Sequence, residues 1–324
     1  MMGNKIPSKI AYSFNDVMLE PKYTNIASRL HTDLESRLSR NNMLPIPIMS
    51  TNMSTITELD MMVAMNKYGG IGALHRFMPI EEATDIVKEA YKQHLHPIMA
   101  SIGIGDSEYE RAIKLIHAGV DIILLDVAHA HSEMVFNQLY RLNQSHPFVD
   151  YIVGNIATYD SAKQLLDSGA DGLRVGIGGG SRCTTRNVTG HGIPNLTALI
   201  DVVQARDEHL YINNDYVPII IDGGIKTSGD IVKALYFGAD VACLGGMLSG
   251  TEETPGEVIN IDGNAFKKYY GMASKDAQDI HRNGIKKGTT AEGFSEPVVY
   301  RGSVGPILDD IVGGIRSGLT YSGA

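Results

Sequence analysis

Residues 169–177 read Gly-Ala-Asp-Gly-Leu-Arg-Val-Gly-Ile, a glycine-alanine-aspartate turn that leads into an apolar run. Close variants recur as Gly119-Val120-Asp121 and Gly238-Ala239-Asp240, each between a segment of helical spacing and an apolar run. Glycine just past the last helical residue is a common helix stop, so each variant predicts a helix-to-strand joint. The recurrence therefore indicates a repeating helix–strand unit of about 25 residues.

Eight short runs rich in Ile, Val and Leu predict strands that are buried on both faces, as in a parallel sheet. The eight runs are Leu44–Met49, Gly70–Leu74, Pro97–Ile102, Asp121–Asp126, Tyr151–Asn155, Gly172–Ile177, Pro218–Asp222 and Val241–Gly245. Helices are predicted at Ile80–Lys92, Ser107–Ala118, Ser161–Ser168 and Thr227–Phe237. Eight strands that alternate with helices favour an α/β fold of the (β/α)8 TIM-barrel type. An open doubly wound sheet is less favoured, because no Gly-x-Gly-x-x-Gly follows the first run.

Composition restricts the class of protein. The 324 residues are 43% hydrophobic, enough for a large core, and they carry a formal net charge of −9. An acidic chain whose longest basic cluster is Lys286-Lys287 is not typical of nucleic-acid binding. No stretch approaches the ~20 apolar residues that span a bilayer, and Met1 to Ile10 lack the apolar core of a signal peptide. Only two cysteines are present, which favours a reducing, cytoplasmic location.

The loop after the sixth run carries the most specific chemistry. Residues 176–186 read Gly-Ile-Gly-Gly-Gly-Ser-Arg-Cys-Thr-Thr-Arg, and they follow a strand at the end where TIM barrels place their sites. A glycine-rich turn exposes backbone amides and carbonyls to ions, and a cysteine on such a turn can become a thiolate. Cys183 is therefore predicted to be a nucleophile. Cys243, inside the apolar eighth run, is predicted to be a small buried hydrophobe.

Glycine pairs follow the last two strands, as Gly223-Gly224 and Gly245-Gly246. In many TIM barrels the backbone N–H groups of these two loops bind a phosphate. We interpret the two pairs together as a phosphate site, although for any single glycine a role in a turn alone is the better interpretation. Asp222, which precedes the first pair, is suited either to bind ribose hydroxyls or to cap the helix that follows.

Beyond the eighth strand the repeat ends. A β-hairpin is predicted within Gly250–Tyr270, and residues 271–293 are polar and contain several glycines. A long polar segment after the last barrel strand is predicted to be a mobile lid. A final helix over Ile307–Ser317 is expected to close the barrel. We expect residues 1–324 to form a single catalytic domain.

The loop at residues 176–186 resembles the catalytic loop of the IMP dehydrogenase / GMP reductase family. The resemblance covers essentially the whole chain. It includes Phe14–Leu19, Gly154-Asn155, Ile221–Gly224, Leu244–Met247, Tyr269–Met272 and Gly313–Arg316. It implies a TIM barrel, usually assembled as a homotetramer, that acts on a purine nucleotide through a covalent cysteine.

Three features favour the reductase branch of this family. The first two strands leave no room for the CBS regulatory insert that is typical of the dehydrogenases. The lid lacks the Arg-Tyr pair that activates water in the dehydrogenases. Ser28-Arg29, Leu244–Gly250 and Leu319–Tyr321 are similar to reductase phrases. The reductase branch implies NADPH-dependent reductive deamination of GMP to IMP and ammonia, and the alternative is an IMP dehydrogenase without a regulatory domain that converts IMP and NAD to XMP.

The resemblance also implies roles for individual residues. The implied catalytic residues are Cys183, Thr185 and Glu292. The implied substrate-binding residues are Ser181, Asp222, Gly223, Gly224, Gly245, Gly246, Met272, Ala273, Ser274 and Gly293. The implied NADPH-binding residues are Arg76, Asp126, Val127, Ala128, Ile177 and Gly178, with Ser28 and Arg29 supplied by a neighbouring subunit. A monovalent cation, K⁺, is implied on the backbone carbonyls of Gly178, Gly180 and Cys183.

Four positions differ from the family's pattern. Gly179 stands where the family usually has Pro, and Arg182 stands where it has a small apolar residue. Ser54 replaces an Asp, and Thr289 replaces an Arg that contacts nucleotide in the reductases. Two other classes stay open from the sequence: a non-catalytic nucleotide-binding barrel, and a flavin-binding barrel, which also binds phosphate after its last two strands.

Overall fold

The computed structural model describes residues 10–282 and 284–323, so the signal-peptide prediction for residues 1–9 lies outside it. Eight parallel strands form a closed barrel. They are β1 (Ile48–Ser50), β2 (Ile71–Leu74), β3 (Met99–Ile102), β4 (Ile122–Asp126), β5 (Asp150–Ile156), β6 (Gly172–Val175), β7 (Ile219–Asp222) and β8 (Val241–Leu244). The barrel is closed because β8 pairs with both β7 and β1. The predicted TIM barrel is confirmed, and each strand lies within or close to its predicted apolar run.

Helices connect the strands and cover the outside of the barrel. They are α1 (Leu59–Lys67), α2 (Ile80–Lys92), α3 (Asp106–Ala118), α4 (Glu133–Ser145), α5 (Tyr159–Asp167), α6 (Thr185–Thr189), α7 (Asn195–Asn213), α8 (Ser228–Tyr236), α9 (Lys275–Arg282) and α10 (Gly305–Ser322). The predicted bounds of α2 are the observed ones, and those of α3, α5 and α8 differ by one or two residues at an end. The closing helix α10 continues past the predicted Ser317 to Ser322.

The aspartates of the repeated glycine-aspartate turns explain why the turns recur. Asp121, Asp171 and Asp240 each accept a hydrogen bond from a backbone N–H near the start of the preceding strand, at 2.7, 2.9 and 2.7 Å. These N–H groups lie at the amino-terminal rim of the barrel, and a backbone donor left without a partner there would be costly. Each turn therefore stops a helix and also anchors the rim of the barrel.

Alternation along the strands gives the barrel two apolar layers. Met99, Leu124 and Ile220 belong to a small buried cluster inside the barrel. Ile123 and Leu173 belong to the large cluster between the strands and the helices. Because successive side chains in a strand point to opposite faces, a strand buried on both faces needs a nearly continuous apolar run.

A three-stranded antiparallel sheet follows the barrel. It consists of β9 (Ile259–Ile261), β10 (Asn264–Tyr270) and β11 (Ser295–Val299). The hairpin predicted within Gly250–Tyr270 is confirmed, whereas β11 was not predicted. Tyr270 of β10 pairs with Ser295 of β11, so the two ends of the predicted lid are held side by side. The lid itself contains α9, and its mobility stays a prediction.

Gly176, at the end of β6, offers a test of how the barrel mouth is held. Its φ is +135°, and a Cβ at this position would overlap with the backbone carbonyl oxygen of Asp222. We expect Gly176→Ala to lower the free energy of unfolding by about 3 kcal/mol or more, measured by urea denaturation. Gly190→Ala is the control, because Gly190 has a φ of +72° but open space around it, and about 1 kcal/mol is expected. Equal losses would show that the overlap with Asp222 has no consequence.

Among residues 10–282 and 284–323, no helix combines the length and the apolar character that crossing a membrane requires.

Candidate active site

Cys183 lies at the mouth of the barrel, on the loop between β6 and α6, and is partly exposed. Its thiol donates a hydrogen bond to Thr185 Oγ1 at 3.2 Å. The Thr185 hydroxyl in turn donates to Glu292 Oε2 at 2.7 Å. The three residues implied as catalytic therefore form one hydrogen-bonded line from sulfur to carboxylate.

A short antiparallel bridge brings Glu292 from the lid to the cysteine loop. Cys183 pairs with Gly293. On either side of this pair, Thr184 N donates to Glu292 O at 2.9 Å and Phe294 N donates to Arg182 O at 3.2 Å. Gly293 is required for this approach, since a Cβ there would lie 2.8 Å from the Arg182 carbonyl oxygen. The bridge thus sets the distance between Glu292 and Thr185.

Cys183 faces a cavity of about 460 Å³. Thr185, Met272 and Ala273 line it as well. Most of the residues implied to bind NADPH line the same cavity, namely Arg76, Asp126, Val127, Ala128, Ile177 and Gly178. The structure therefore places the predicted nucleophile, part of the predicted base site and most of the predicted cofactor site around one space.

A second cavity, of about 1050 Å³, contains both glycine pairs. Gly223, Gly224, Gly245 and Gly246 line it together with Ser181. A Cβ on Gly246 would lie 3.0 Å from Ser181 Oγ, so a side chain there would fill the cradle. The two cavities share Ser181, Asp222 and Tyr269 in their walls and therefore adjoin.

Asn195 explains why residue 179 is a glycine. A Cβ on Gly179 would lie 2.5 Å from Asn195 Nδ2. The Asn195 amide donates to the carbonyls of Asp222, at 3.1 Å, and Gly223, at 2.6 Å. Gly179 O accepts a hydrogen bond from Gly224 N at 2.9 Å, which ties the cysteine loop to the β7 loop. The side chain of Asn195 thus occupies the space that a proline ring would need.

A buried arginine forms the floor of the site. Arg174, in the middle of β6, donates to Asn155 Oδ1 at 2.5 Å, to Asn52 Oδ1 at 2.6 Å and to Asp126 Oδ1. Its Nε also lies 3.8 Å from Asp222 Oδ2. Arg174 and Asn52 were not predicted from the sequence as site residues. The available signal was an arginine within an apolar run, since a charge inside a barrel strand requires partners.

Asp222 is held by its neighbours rather than used as a helix cap. Asn155 Nδ2 donates to Asp222 Oδ2 at 2.8 Å. The following helix, α8, is capped instead by Thr227, whose hydroxyl accepts from Asp230 N at 3.2 Å. The alternative that Asp222 caps this helix is therefore wrong, and Asp222 lines both cavities instead.

Charges around Asp126 favour its ionised form. Burial opposes ionisation, but the guanidinium groups of Arg174 and Arg76 outweigh burial and hold the pKa of Asp126 below its ordinary value of 3.8. A carboxyl whose pKa is lower in the folded state than in the unfolded state stabilises the fold at pH values above its unfolded-state pKa. This stabilisation is lost as the pH falls through the folded-state pKa.

The consequence is a pH-dependent effect of Asp126→Asn. We expect the variant to lose about 3 kcal/mol of unfolding free energy at pH 7, because Arg174 would stay buried without its anion. The difference from wild type should begin to shrink as pH falls below about 4, where Asp126 protonates in the unfolded chain, and it should be lost as pH falls through the lower pKa of the folded state. Urea denaturation at several pH values measures both. Asp106→Asn is the control, since Asp106 forms an exposed ion pair with Arg141 and should cost under about 1 kcal/mol. A constant difference across this pH range would contradict the expectation.

Five predicted site residues line neither cavity: Ser28, Arg29, Ser274, Glu292 and Gly293. Glu292 is linked to the cavity through its hydrogen bond with Thr185. Ser28 and Arg29 lie at a single helical turn that contacts α10, and their supply by a neighbouring subunit stays a prediction. Ser274 is fully buried, and its hydroxyl accepts from Ala277 N at 3.2 Å at the start of α9. Contact of Ser274 with a ligand would have to come from its backbone.

Ser54, where the family's pattern has Asp, contacts the lid. Its hydroxyl lies 3.0 Å from His281 Nε2, on α9, and 3.2 Å from the Tyr270 hydroxyl. Ser54 N also donates to the sulfur of Met272 at 3.4 Å. This position thus joins the loop after β1 to the end of β10, to the start of the lid and to α9 within the lid.

The two cysteines differ as predicted in their surroundings. Cys243 is 2% exposed, and burial raises the pKa of its thiol. Cys183 is partly exposed and hydrogen-bonded to Thr185. Because the thiolate is the nucleophilic form, Cys183 is the cysteine whose surroundings permit reaction.

Comparisons with known proteins agree with this geometry. Residues 11–324 match the family described as "IMP dehydrogenase / GMP reductase domain". A GMP reductase from Shewanella halifaxensis is 34% identical over 326 aligned positions, which cover 99% of this chain and 92% of the relative. An inosine-5'-monophosphate dehydrogenase from Borreliella burgdorferi is 35% identical over 381 positions, which cover 100% of this chain and 92% of the relative.

A solved structure gives the same result in three dimensions. A GMP reductase variant from Trypanosoma brucei, in complex with guanosine 5'-monophosphate, superimposes with a TM-score of 0.89 at 30% identity. The match covers 98% of this chain and 93% of that chain. The chain therefore belongs to the IMP dehydrogenase / GMP reductase family of oxidoreductases.

Proposed function

We propose that this protein catalyses the NADPH-dependent reductive deamination of GMP to IMP and ammonia, through a covalent bond between Cys183 and the purine. The hydrogen-bonded line from Cys183 through Thr185 to Glu292 carries the proposal. This line lies beside two adjoining cavities, one with a glycine cradle and one with the predicted cofactor residues.

The first half of the reaction uses the hydrogen-bonded line as a proton path. The Cys183 thiol passes its proton by way of the Thr185 hydroxyl to Glu292, and the thiolate attacks C2 of the guanine ring. The bond between C2 and the exocyclic nitrogen then breaks. The nitrogen leaves as ammonia and takes the stored proton back from Glu292 through Thr185. The enzyme is left with a carbon–sulfur bond to the purine.

The second half releases the product. When bound, NADPH supplies a hydride to C2. The carbon–sulfur bond breaks, the sulfur keeps the electron pair as a thiolate that regains a proton from solvent, and the purine leaves as IMP. Asp126, Val127, Ala128, Ile177 and Gly178 would place the nicotinamide end beside Cys183, because they line the same cavity. Arg76 lines that cavity too, with its Nε 3.4 Å from Asp126 Oδ2. Ser28 and Arg29 would come from a neighbouring subunit, where an arginine suits the extra phosphate at the adenosine end of NADPH.

The substrate would lie across the two cavities. Ser181 and the glycine pairs after β7 and β8 would hold the phosphate through the hydroxyl and backbone N–H groups. Asp222 would accept hydrogen bonds from the ribose hydroxyls. Met272, Ala273 and the backbone of Ser274 and Gly293 would border the base.

A monovalent cation, K⁺, is part of the proposal. Backbone carbonyl oxygens are suitable ligands for such an ion, and those of Gly178, Gly180 and Cys183 belong to one short loop. The Gly180 carbonyl already accepts a hydrogen bond from Cys183 N at 3.1 Å, so the ion would use its second lone pair. The ion would hold the cysteine loop in shape. Replacing K⁺ by Li⁺ in the assay should therefore lower turnover.

A homotetramer, which the family resemblance implies, is also part of the proposal. Because Ser28 and Arg29 line neither cavity of their own chain, their role needs at least one neighbouring subunit. Sedimentation or light scattering at assay concentration measures the assembly. A fully active monomer would contradict the role of these two residues.

IMP dehydrogenase is the second candidate, because dehydrogenases match this chain at similar identity. The reductase is favoured by length: the reductase alignment spans 326 positions, close to the 324 residues of this chain, whereas dehydrogenase alignments need 381 and 450. The longer alignments indicate inserted segments in those relatives. The absence of an Arg-Tyr pair from residues 271–293 also favours the reductase.

One assay separates the two. The purified protein is mixed with GMP and NADPH, and separately with IMP and NAD, and the absorbance of the reduced cofactor is followed. We expect loss of NADPH and formation of IMP in the first mixture only. Turnover of IMP and NAD, with none of GMP and NADPH, would overturn the branch assignment.

A further inference from the structure

Arg182, the residue directly before Cys183, is enclosed by side chains from the sheet that follows the barrel. Its guanidinium carbon lies 4.9 Å from the centre of the Tyr269 ring and 5.1 Å from the centre of the Phe294 ring. Its Nη2 lies 3.1 Å from Glu296 Oε2. The cation is thus held between two aromatic faces and beside one carboxylate.

This enclosure is specific to arginine. The side chain is only 16% exposed, and within the described part of the chain its buried Nε has no hydrogen-bond partner. Burying a cation is costly unless partners compensate, and here stacking and one ion pair do so. A planar guanidinium can stack on two rings and still reach a carboxylate, which an ammonium group cannot. A small apolar residue, as in the family's pattern, would reach none of these three partners.

The three partners of Arg182 all lie on the segments that border the lid. Phe294 directly precedes β11 and Glu296 lies within it, two and four residues after Glu292. Tyr269 lies on β10, and its hydroxyl is 3.2 Å from Ser181 Oγ. The Arg182 side chain therefore connects the cysteine loop to both strands that hold the ends of the lid.

The side chain acts at the same place as the backbone bridge. Arg182 O accepts a hydrogen bond from Phe294 N at 3.2 Å, so the backbone and the side chain of Arg182 both contact the segment next to Glu292. Hydrogen bonds of such a short bridge open easily unless neighbouring side chains hold them. Without the contacts of the Arg182 side chain with Tyr269 and Phe294, the bridge would rest on the two backbone hydrogen bonds that Thr184 N and Phe294 N donate.

We propose that Arg182 is a positioning residue that fixes Glu292 against Thr185 before substrate binds, an inference that rests on the proposed function. Arg182 lines both cavities, but its guanidinium lies against Tyr269, Phe294 and Glu296, and in this proposal it acts on Glu292 through the bridge. The proposal explains a charged residue at a position next to the nucleophile where the family's pattern has a small apolar one. It assigns to this chain a preformed proton path instead of one assembled only when the lid closes.

The first test needs no activity. Arg182→Met keeps an unbranched apolar stem and removes the guanidinium group, with its charge and its plane. In hydrogen exchange followed by mass spectrometry, peptides that contain the amides of Thr184 and Phe294 should exchange about tenfold faster in the variant, with barrel strands unchanged. Arg141→Met is the matched control, since Arg141 stacks on Tyr109 at 4.2 Å and pairs with Asp106 at 2.8 Å, on the outside of the barrel. Unchanged exchange in Arg182→Met would overturn the proposal.

The second test uses turnover of GMP and NADPH. We expect Arg182→Met to lower kcat by about tenfold or more, with KM for GMP changed less than about threefold, because misplaced catalytic groups slow the chemical step. The effect of Glu292→Gln should become smaller in the Arg182→Met background, since both changes act on one proton path. Arg182→Lys should resemble Arg182→Met, and Arg141→Met should resemble wild type.

Different results would contradict the proposed function and the positioning role of Arg182. If wild type shows no turnover of GMP and NADPH, the proposed function fails, while the hydrogen-exchange result still decides whether Arg182 holds the bridge. If wild type turns over and the effects of Arg182→Met and Glu292→Gln multiply independently, the positioning role is wrong and the proposed function stands.

Discussion

Replacing Cys183 by alanine is expected to reduce turnover of GMP and NADPH by more than about 10⁴-fold, because no other group can form the carbon–sulfur bond. Binding of GMP should remain, since the glycine cradle and Asp222 are untouched. Stopped-flow or steady-state absorbance of the reduced cofactor measures turnover, and calorimetry measures binding. Retained turnover in Cys183→Ala would end the covalent proposal, whatever the branch of the family.

The second cysteine provides the matched control. Cys243 is buried within β8 and has a raised thiol pKa, so Cys243→Ala should keep most of its turnover. In wild type a thiol reagent should modify one cysteine rapidly, and GMP should block that modification. If Cys243→Ala loses the rapid modification instead of Cys183→Ala, the assignment of the nucleophile is wrong.

Glu292→Gln is expected to lower kcat by about 10²- to 10⁴-fold. The amide has the same shape as the carboxyl and can still accept a hydrogen bond from Thr185, but it cannot take the thiol proton. Substrate binding should change little, so the loss should be seen in kcat and not in KM. The measurement is the steady-state rate over a range of GMP concentrations at saturating NADPH.

Thr185 completes the test of the proton path. Thr185→Val removes the hydroxyl that joins Cys183 to Glu292 and should lose about as much as Glu292→Gln. Thr185→Ser keeps the hydroxyl and should recover most of the rate. Glu257→Gln, at an exposed position, is the control for loss of one carboxylate. Full activity of Thr185→Val would show that the proton takes another route.

Much of the fold could be predicted because it depends on local sequence. The repeated turn at Gly119, Gly169 and Gly238 marks helix ends, which require a left-handed backbone conformation that glycine adopts easily. The apolar runs mark strands because both of their faces are buried. The strand β11 was missed, because Ser295–Val299 is mostly exposed, and its pairing with β10 supplies what its composition does not.

The site was predictable in part. A glycine-rich loop with one cysteine pointed to Cys183, and two glycine pairs on neighbouring strands pointed to a common cradle. Glu292 and Thr185 were assigned by resemblance. Arg174 was missed because an arginine inside a strand gives no sign of its partners, and Asn52 and Asp126 lie in other parts of the barrel.

By itself the sequence determined the alternation of strands and helices and the barrel, since these follow from the spacing of apolar residues, and residue type singled out Cys183 as the proposed nucleophile. Only the tertiary structure decided how Glu292 meets Thr185, how Arg174 is neutralised and what surrounds Arg182. These are contacts between segments far apart in the chain. The closed barrel brings them together because all its strands end at one rim, and no local pattern records which side chains then meet.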